Sequence, residues 1–277
     1  MAEHLVKPGV YVPETGLAYP EKPDEFILAS KKLHEVDVEH GYEFLDKSLK
    51  AKFLNVLFYA AIFTLVAVLQ KVRYGLKVEG RENLRAARPH LKNGAITVCN
   101  HVYRWDFLAV VNAIGFRRLW FPARAQHLEG GDAVLIRGVG GIPIPTSISA
   151  MRQFNAAFDE LHQKGKWLHV FPETSRWEFY EPIRPFNLGA FKMAVRYQVP
   201  LIPLVLSYRK PGGLRKLLGV KHPLLTIHIG KAMLPGAFGG LTKNEAAKKM
   251  RLEAHSQMVE MAGIVKNKWG AELERYS

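Results

Sequence analysis

From Leu76 onward, short β-rich apolar runs alternate with stretches of helical spacing, and this alternation restricts the fold more than any other feature of the chain. Strands are predicted over 95–99, 119–122, 168–171, 201–206 and 225–229, and helices over 105–115, 147–164, 187–197 and 244–268. Strand, helix and strand in succession define an α/β class: a mixed, partly parallel sheet flanked by helices. Ligands of such sheets lie beyond the carboxyl ends of the strands. A chain of 277 residues suits one such domain with an N-terminal extension, and the change of pattern puts the boundary between 1–75 and 76–277.

The extension has three parts. Residues 1–25 are acidic and broken by Pro8, Pro13, Pro20 and Pro23, which reads as an irregular arm and not as a secretory signal. Residues 26–50 fit an amphipathic helix with Phe26, Ile27, Leu33, Phe44 and Leu45 inward, interrupted near Gly41. Residues 53–69 are an uncharged run of 17 residues. As a helix that run spans about 25 Å, slightly less than the roughly 30 Å hydrocarbon core of a bilayer. Lys50 and Lys52 precede it and Lys71 and Arg73 follow, placed to reach headgroups. A membrane-embedded helix, spanning or re-entrant, and a buried core helix are both open; the basic flanks leave orientation undecided.

Charge narrows the partners. The chain has 39 Lys+Arg against 25 Asp+Glu, a net of +14. Residues 1–46 carry a net of −6, so the remainder carries +20. Such a body suits nucleic acid or an anionic lipid surface. Its basic residues are dispersed, and no zinc finger, helix-turn-helix or RNA-recognition signature accompanies them, so nucleic acid is disfavoured. Cys99 is the only cysteine; it fits a reducing compartment and reads as a small buried residue.

Two polar motifs follow predicted strands. The first runs from Asn100 to Asp106, with His101 at the strand's mouth and Asp106 in the first turn of the next helix. A carboxylate there can fix the imidazole tautomer and support the cation formed when the ring takes a proton. The same helix start offers N–H groups to a developing oxyanion. The spacing alone is weak, because His127 and Asp132 repeat it within a Gly-rich stretch. The second motif is Phe171-Pro172-Glu173-Thr174-Ser175-Arg176. Pro185, Phe186 and Gly189 follow, and then Val199-Pro200-Leu201-Ile202-Pro203.

In this order the blocks resemble the glycerolipid acyltransferases typified by 1-acylglycerol-3-phosphate acyltransferase, with the pattern NHxxxxD, a Gly-rich segment bearing Arg, FPEGTR and VPxxPV. The resemblance covers about residues 76–230. It implies that 76–277 is an acyltransferase catalytic domain and that 1–75 is an arm with a membrane-associated helical segment. It implies O-acyl transfer from an acyl-CoA or acyl-ACP co-substrate to a lysophospholipid hydroxyl, with no cofactor or metal. His101 would be the general base and Asp106 its partner. Asn100, Glu173, Ser175 and Arg176 would bind the acceptor, Arg176 through its forked donors. Membrane association on the cytoplasmic side, against an anionic surface, is part of the same implication. A non-catalytic lipid-binding protein with the acyltransferase fold is the alternative. Two departures stand out: Thr174 replaces the family's Gly, and Thr146 stands where the second block has Arg, unless Arg137 or Arg152 reaches in.

Overall fold

The computed structural model describes residues 4–25, 38, 42–45, 49–125 and 133–270. After residue 75 the chain is built around one seven-stranded sheet. Its strands are β2 (Lys77–Glu79), β3 (Ile96–Cys99), β4 (Leu119–Arg124), β5 (Gly141–Ile144), β6 (Trp167–Val170), β7 (Leu201–Arg209) and β8 (Leu224–Ile229), in the order β2-β8-β7-β3-β6-β4-β5. Five neighbours from β7 to β5 run parallel; β8 runs antiparallel to β7, and β2 parallel to β8. Central β3 is buried on both faces, as its unbroken apolar run requires.

Helices cover both faces. On one lie α5 (Ile148–Gln163), α6 (Gly189–Tyr197) and α8 (Lys243–Met261), packing Phe158, Phe191 and Met250 against Ile96, Val98 and Val205. On the other lies α3 (Asp106–Ala113), whose Leu108 and Val111 pack with Ile202 and Leu204. The helix ends follow local chemistry: Ser147 caps α5 by accepting from Ala150 N, and Thr242 and Glu245 form a capping box on α8.

Three expectations change. The last helix stops at Met261 and not at 268, because Gly263 takes a left-handed φ of +76°. The chain then forms β9 (Ile264–Lys266), which pairs antiparallel with β1 (Leu5–Val6). β2 and β5 escape the pattern, β2 because it has only three residues. Pro143 obscures β5, and it is tolerated there because β5 is the sheet edge.

The third concerns the apolar run, which lies within α1 (Leu49–Arg73). It is not a buried core helix. One face packs on the domain: Phe63 is buried and meets the edge of the exposed Phe116 ring, and buried Gln70 donates to Tyr103 Oη and Trp105 O. The other face leaves Val56, Leu65, Val68 and Val72 exposed. Among the described residues no helix is long and apolar enough to cross a membrane. Within 26–50, Phe44 and Leu45 pack on the core without helical structure, Phe44 against Phe154 of α5. Phe26, Ile27, Leu33 and Gly41 lie outside the described residues, as do His127 and Asp132.

The N-terminal arm is stitched to the loop after β6. Tyr19 Oη donates to Glu178 O at 2.7 Å, Trp177 Nε1 donates to Glu25 O at 2.9 Å, and His4 pairs with Glu181.

Two buried histidines make the fold acid-sensitive. Burial, reinforced by the nearby His101, pushes His169 down to about 3, and burial pushes His255 down to about 4. Both are neutral when folded but take a proton below about pH 6.5 when unfolded. The unfolded chain therefore binds more protons between about pH 4 and 6.5, and stability falls as pH falls through that window. At pH 5 the loss is about 2 kcal/mol for each ring. The urea midpoint should drop between pH 7.5 and pH 5, and less so in a His169→Gln/His255→Gln variant. An equal drop in the variant would assign the effect to other groups.

Candidate active site

The site forms at the carboxyl ends of β3, β4, β5 and β6, around a cavity of ≈ 380 Å³. His101 follows β3 by two residues. Its Nδ1 lies 2.5 Å from Asp106 Oδ2 at the start of α3, and its ring stacks on Phe171 at 4.2 Å. Asp106 is buried and accepts from Val102 N at 3.1 Å and Phe107 N at 2.8 Å. A carboxylate held this way accepts from Nδ1–H, so the neutral ring carries its lone pair on Nε2. His101 lines the cavity and is partly exposed. The N–H groups of Val102 and Phe107 are committed to Asp106, contrary to the expectation that this helix start would hold an oxyanion. The amino end of α6 opens on the cavity instead, through Gly189 and Ala190.

Three residues expected to touch the acceptor are buried and committed elsewhere. Asn100 continues the β3–β7 ladder past the strand's end: its Nδ2 donates to Leu206 O at 3.0 Å and its Oδ1 accepts from Leu206 N at 2.8 Å. Glu173 accepts from His101 N at 2.9 Å and from Arg184 N at 2.8 Å, and pairs with Arg184 Nη2 at 3.1 Å. Ser175 Oγ donates to Glu25 O and accepts from Arg184 Nη1 at 2.7 Å. None of the three lines the cavity. They position the loop that carries His101, whose carbonyl accepts from Trp177 N at 3.0 Å.

Arg176 does reach the cavity, with Glu178 Oε2 at 3.4 Å from its Nε. Arg104 and Arg124 share that lining, whereas Arg137 and Arg152 do not. The sequence signal for Arg124 was its place at the end of β4, the strand beside the one that ends near Thr146. Much of the remaining lining is apolar, including Phe107, Phe121, Ile136 and Val139. Thr174 keeps a left-handed φ of +68° although it is β-branched, so the turn holds the conformation a glycine would take. Thr174 N donates to Phe171 O at 3.1 Å, and Asn187 Nδ2 donates to the Thr174 hydroxyl at 2.5 Å. Burial beside Asp106 and Glu173 pushes the Cys99 thiol well up, which disfavours a thiolate nucleophile there.

The site thus sets a histidine–carboxylate pair at the strand ends of an α/β sheet, beside cations and an apolar lining. Residues 75–207 match the Acyltransferase family, and this segment is what the chain shares with it. Relatives include 1-acyl-sn-glycerol-3-phosphate acyltransferase alpha of Mus musculus, 28% identical over 150 residues, covering 53% of this chain and 50% of that protein. The beta enzyme of Homo sapiens is 29% identical over 142 residues, covering 50% of this chain and 49% of that protein. The chain thus spans about half the length of the curated relatives it matches. The crystal structure of the 1-acyl-sn-glycerophosphate (LPA) acyltransferase PlsC from Thermotoga maritima shares the fold, with a TM-score of 0.50, 19% identity and coverage of 79% of this chain and 84% of that one.

Proposed function

We propose that the protein transfers a fatty acyl group from an acyl thioester to the hydroxyl of an anionic lysophospholipid. The observation that carries this is the His101–Asp106 pair at 2.5 Å on the rim of an apolar cavity that also bears Arg104, Arg124 and Arg176. His101 Nε2 takes the hydroxyl proton as the oxygen attacks the thioester carbonyl. Asp106 supports the imidazolium, and the amino end of α6 faces the oxyanion. Collapse of the tetrahedral species breaks the C–S bond, and the imidazolium returns its proton to the departing thiolate.

The apolar walls suit an acyl chain, and the arginines suit a phosphate, with Arg104 and Arg124 supplying charge that Thr146 lacks. We take residues 76–277 as the catalytic unit and 1–75 as a membrane-associated arm. The outer face of α1 and the basic body support work at an anionic membrane surface, on its cytoplasmic side. The donor is acyl-CoA or acyl-ACP, with no cofactor.

The test is release of free thiol and formation of labelled diacyl lipid from labelled acyl-CoA, then acyl-ACP, with a panel of lysolipids. Lysophosphatidic acid and lysophosphatidylglycerol should be preferred to lysophosphatidylcholine. Arg176→Ala should raise KM for the anionic acceptors by about 10-fold, the size of one charge-assisted hydrogen bond. Silence with both donors would favour a non-catalytic lipid-binding protein.

A further inference from the structure

The connection from β7 to β8 runs Lys210-Pro-Gly-Gly-Leu-Arg-Lys-Leu-Leu-Gly-Val-Lys221 and has four cations and no acid. Its middle forms α7 (Leu214–Leu217). Leu217 is 83% exposed and Leu218 71%, although both are large and apolar. Two adjacent leucines held out in water cost free energy that folding has not recovered. Gly213 and Gly219, at φ +54° and +71°, allow the tight reversals on either side of them.

The loop is fixed, and Arg215 fixes it. Arg215 Nη1 donates to Val72 O at 2.6 Å and Arg73 O at 3.1 Å, and its Nη2 donates to Lys71 O at 2.8 Å. These are the terminal carbonyls of α1, which a cation satisfies well. The leucine pair is therefore tied to the end of α1 where Val68 and Val72 are exposed. Exposed Lys71 and Arg73 sit on one side of the junction, and Lys210 and Lys216 on the other.

We propose that the tip of this loop is a second membrane contact, in which Leu217 and Leu218 enter the interface of an anionic bilayer while Lys210, Lys216 and Lys221 meet its headgroups. Charge selects the occupant: apolar tips ringed by cations match anionic lipid, and each cation adds attraction that salt weakens. A membrane that receives both α1 and this loop is fixed in orientation at two points. The proposal extends the membrane part of the functional reading and does not depend on acyl transfer.

The test is cosedimentation of the full chain with vesicles of equal parts phosphatidylcholine and phosphatidylglycerol, and with phosphatidylcholine alone. The wild type should bind the anionic vesicles and release them at high salt. Leu217→Ser/Leu218→Ser should lower the partition coefficient by about 10-fold or more. Because both side chains are exposed, its Tm should be unchanged, and so should its activity on detergent-dispersed substrate. Lys216→Gln/Lys221→Gln should weaken binding to anionic vesicles only. Equal binding by the leucine variant would overturn the proposal. So would a shift from dimer to monomer in the leucine variant without loss of vesicle binding, which would make a second copy the occupant. Vesicle binding by a chain that transfers no acyl group would defeat the enzymatic reading and leave this one standing.

Discussion

Replacing His101 by alanine should lower kcat for acyl transfer by about 10²–10⁴, the usual contribution of a positioned general base. The effect should fall on kcat and spare KM, because the ring meets the acceptor proton rather than the headgroup. Stability should fall only modestly, because Asp106 loses the imidazole but keeps the Val102 and Phe107 N–H donors. The segment around His101 is held by its backbone, with N–H on Glu173 and C=O on Trp177, and alanine keeps both bonds. Asp106→Asn should cost a similar factor for a different reason. An amide can present N–H to Nδ1 and favour the tautomer that lacks a lone pair on Nε2. That variant should also lose stability, since Asp106 accepts from Val102 N and Phe107 N. Steady-state kinetics on both variants, with thermal melts, separates these effects. A His101→Ala protein that keeps a tenth of wild-type kcat would remove His101 from the role of base.

The sheet was legible because β3, β6, β7 and β8 are buried runs of four to nine residues, and burial of that kind leaves a pattern in sequence. The His101–Asp106 pair was legible because further blocks follow it in a set order, and the turn between strand and helix then sets its geometry locally. The roles of Glu173 and Ser175 were not. Both lie in a motif whose resemblance implied contact with the acceptor, yet their partner is Arg184, whose pairing depends on the course of an irregular loop. Arg124 was hidden for a similar reason: it has no motif, and only parallel pairing of β4 with β5 brings it beside the place of Thr146. In α1 the composition suggested a membrane or a core, and only the tertiary contacts of Phe63 and Gln70 show that a single face packs on the domain.

Arg184→Leu should destabilise the protein by about 3–5 kcal/mol, the usual cost of leaving a buried charge without its partner. Arg184 is almost wholly buried. Besides Glu173 it binds Ser175 Oγ, Ser175 O and Pro23 O at 3.0 Å, and it stacks on Trp177 at 4.4 Å. It therefore joins the arm, the loop after β6 and, through Glu173, the backbone of His101. Leucine leaves the Glu173 carboxylate buried with two N–H donors and no counter-charge. Glu173→Gln/Arg184→Leu should recover much of the lost stability, because no charge is then stranded. Arg184→Lys separates positioning from folding. It keeps the charge but not the planar fork, which meets Glu173 and Ser175 together. Its Tm should stay well above that of the leucine variant, while kcat falls with KM unchanged, because Glu173 no longer holds His101 N in register with the cavity. If Arg184→Lys lost Tm and kept wild-type kcat, Arg184 would stabilise the fold without positioning the base.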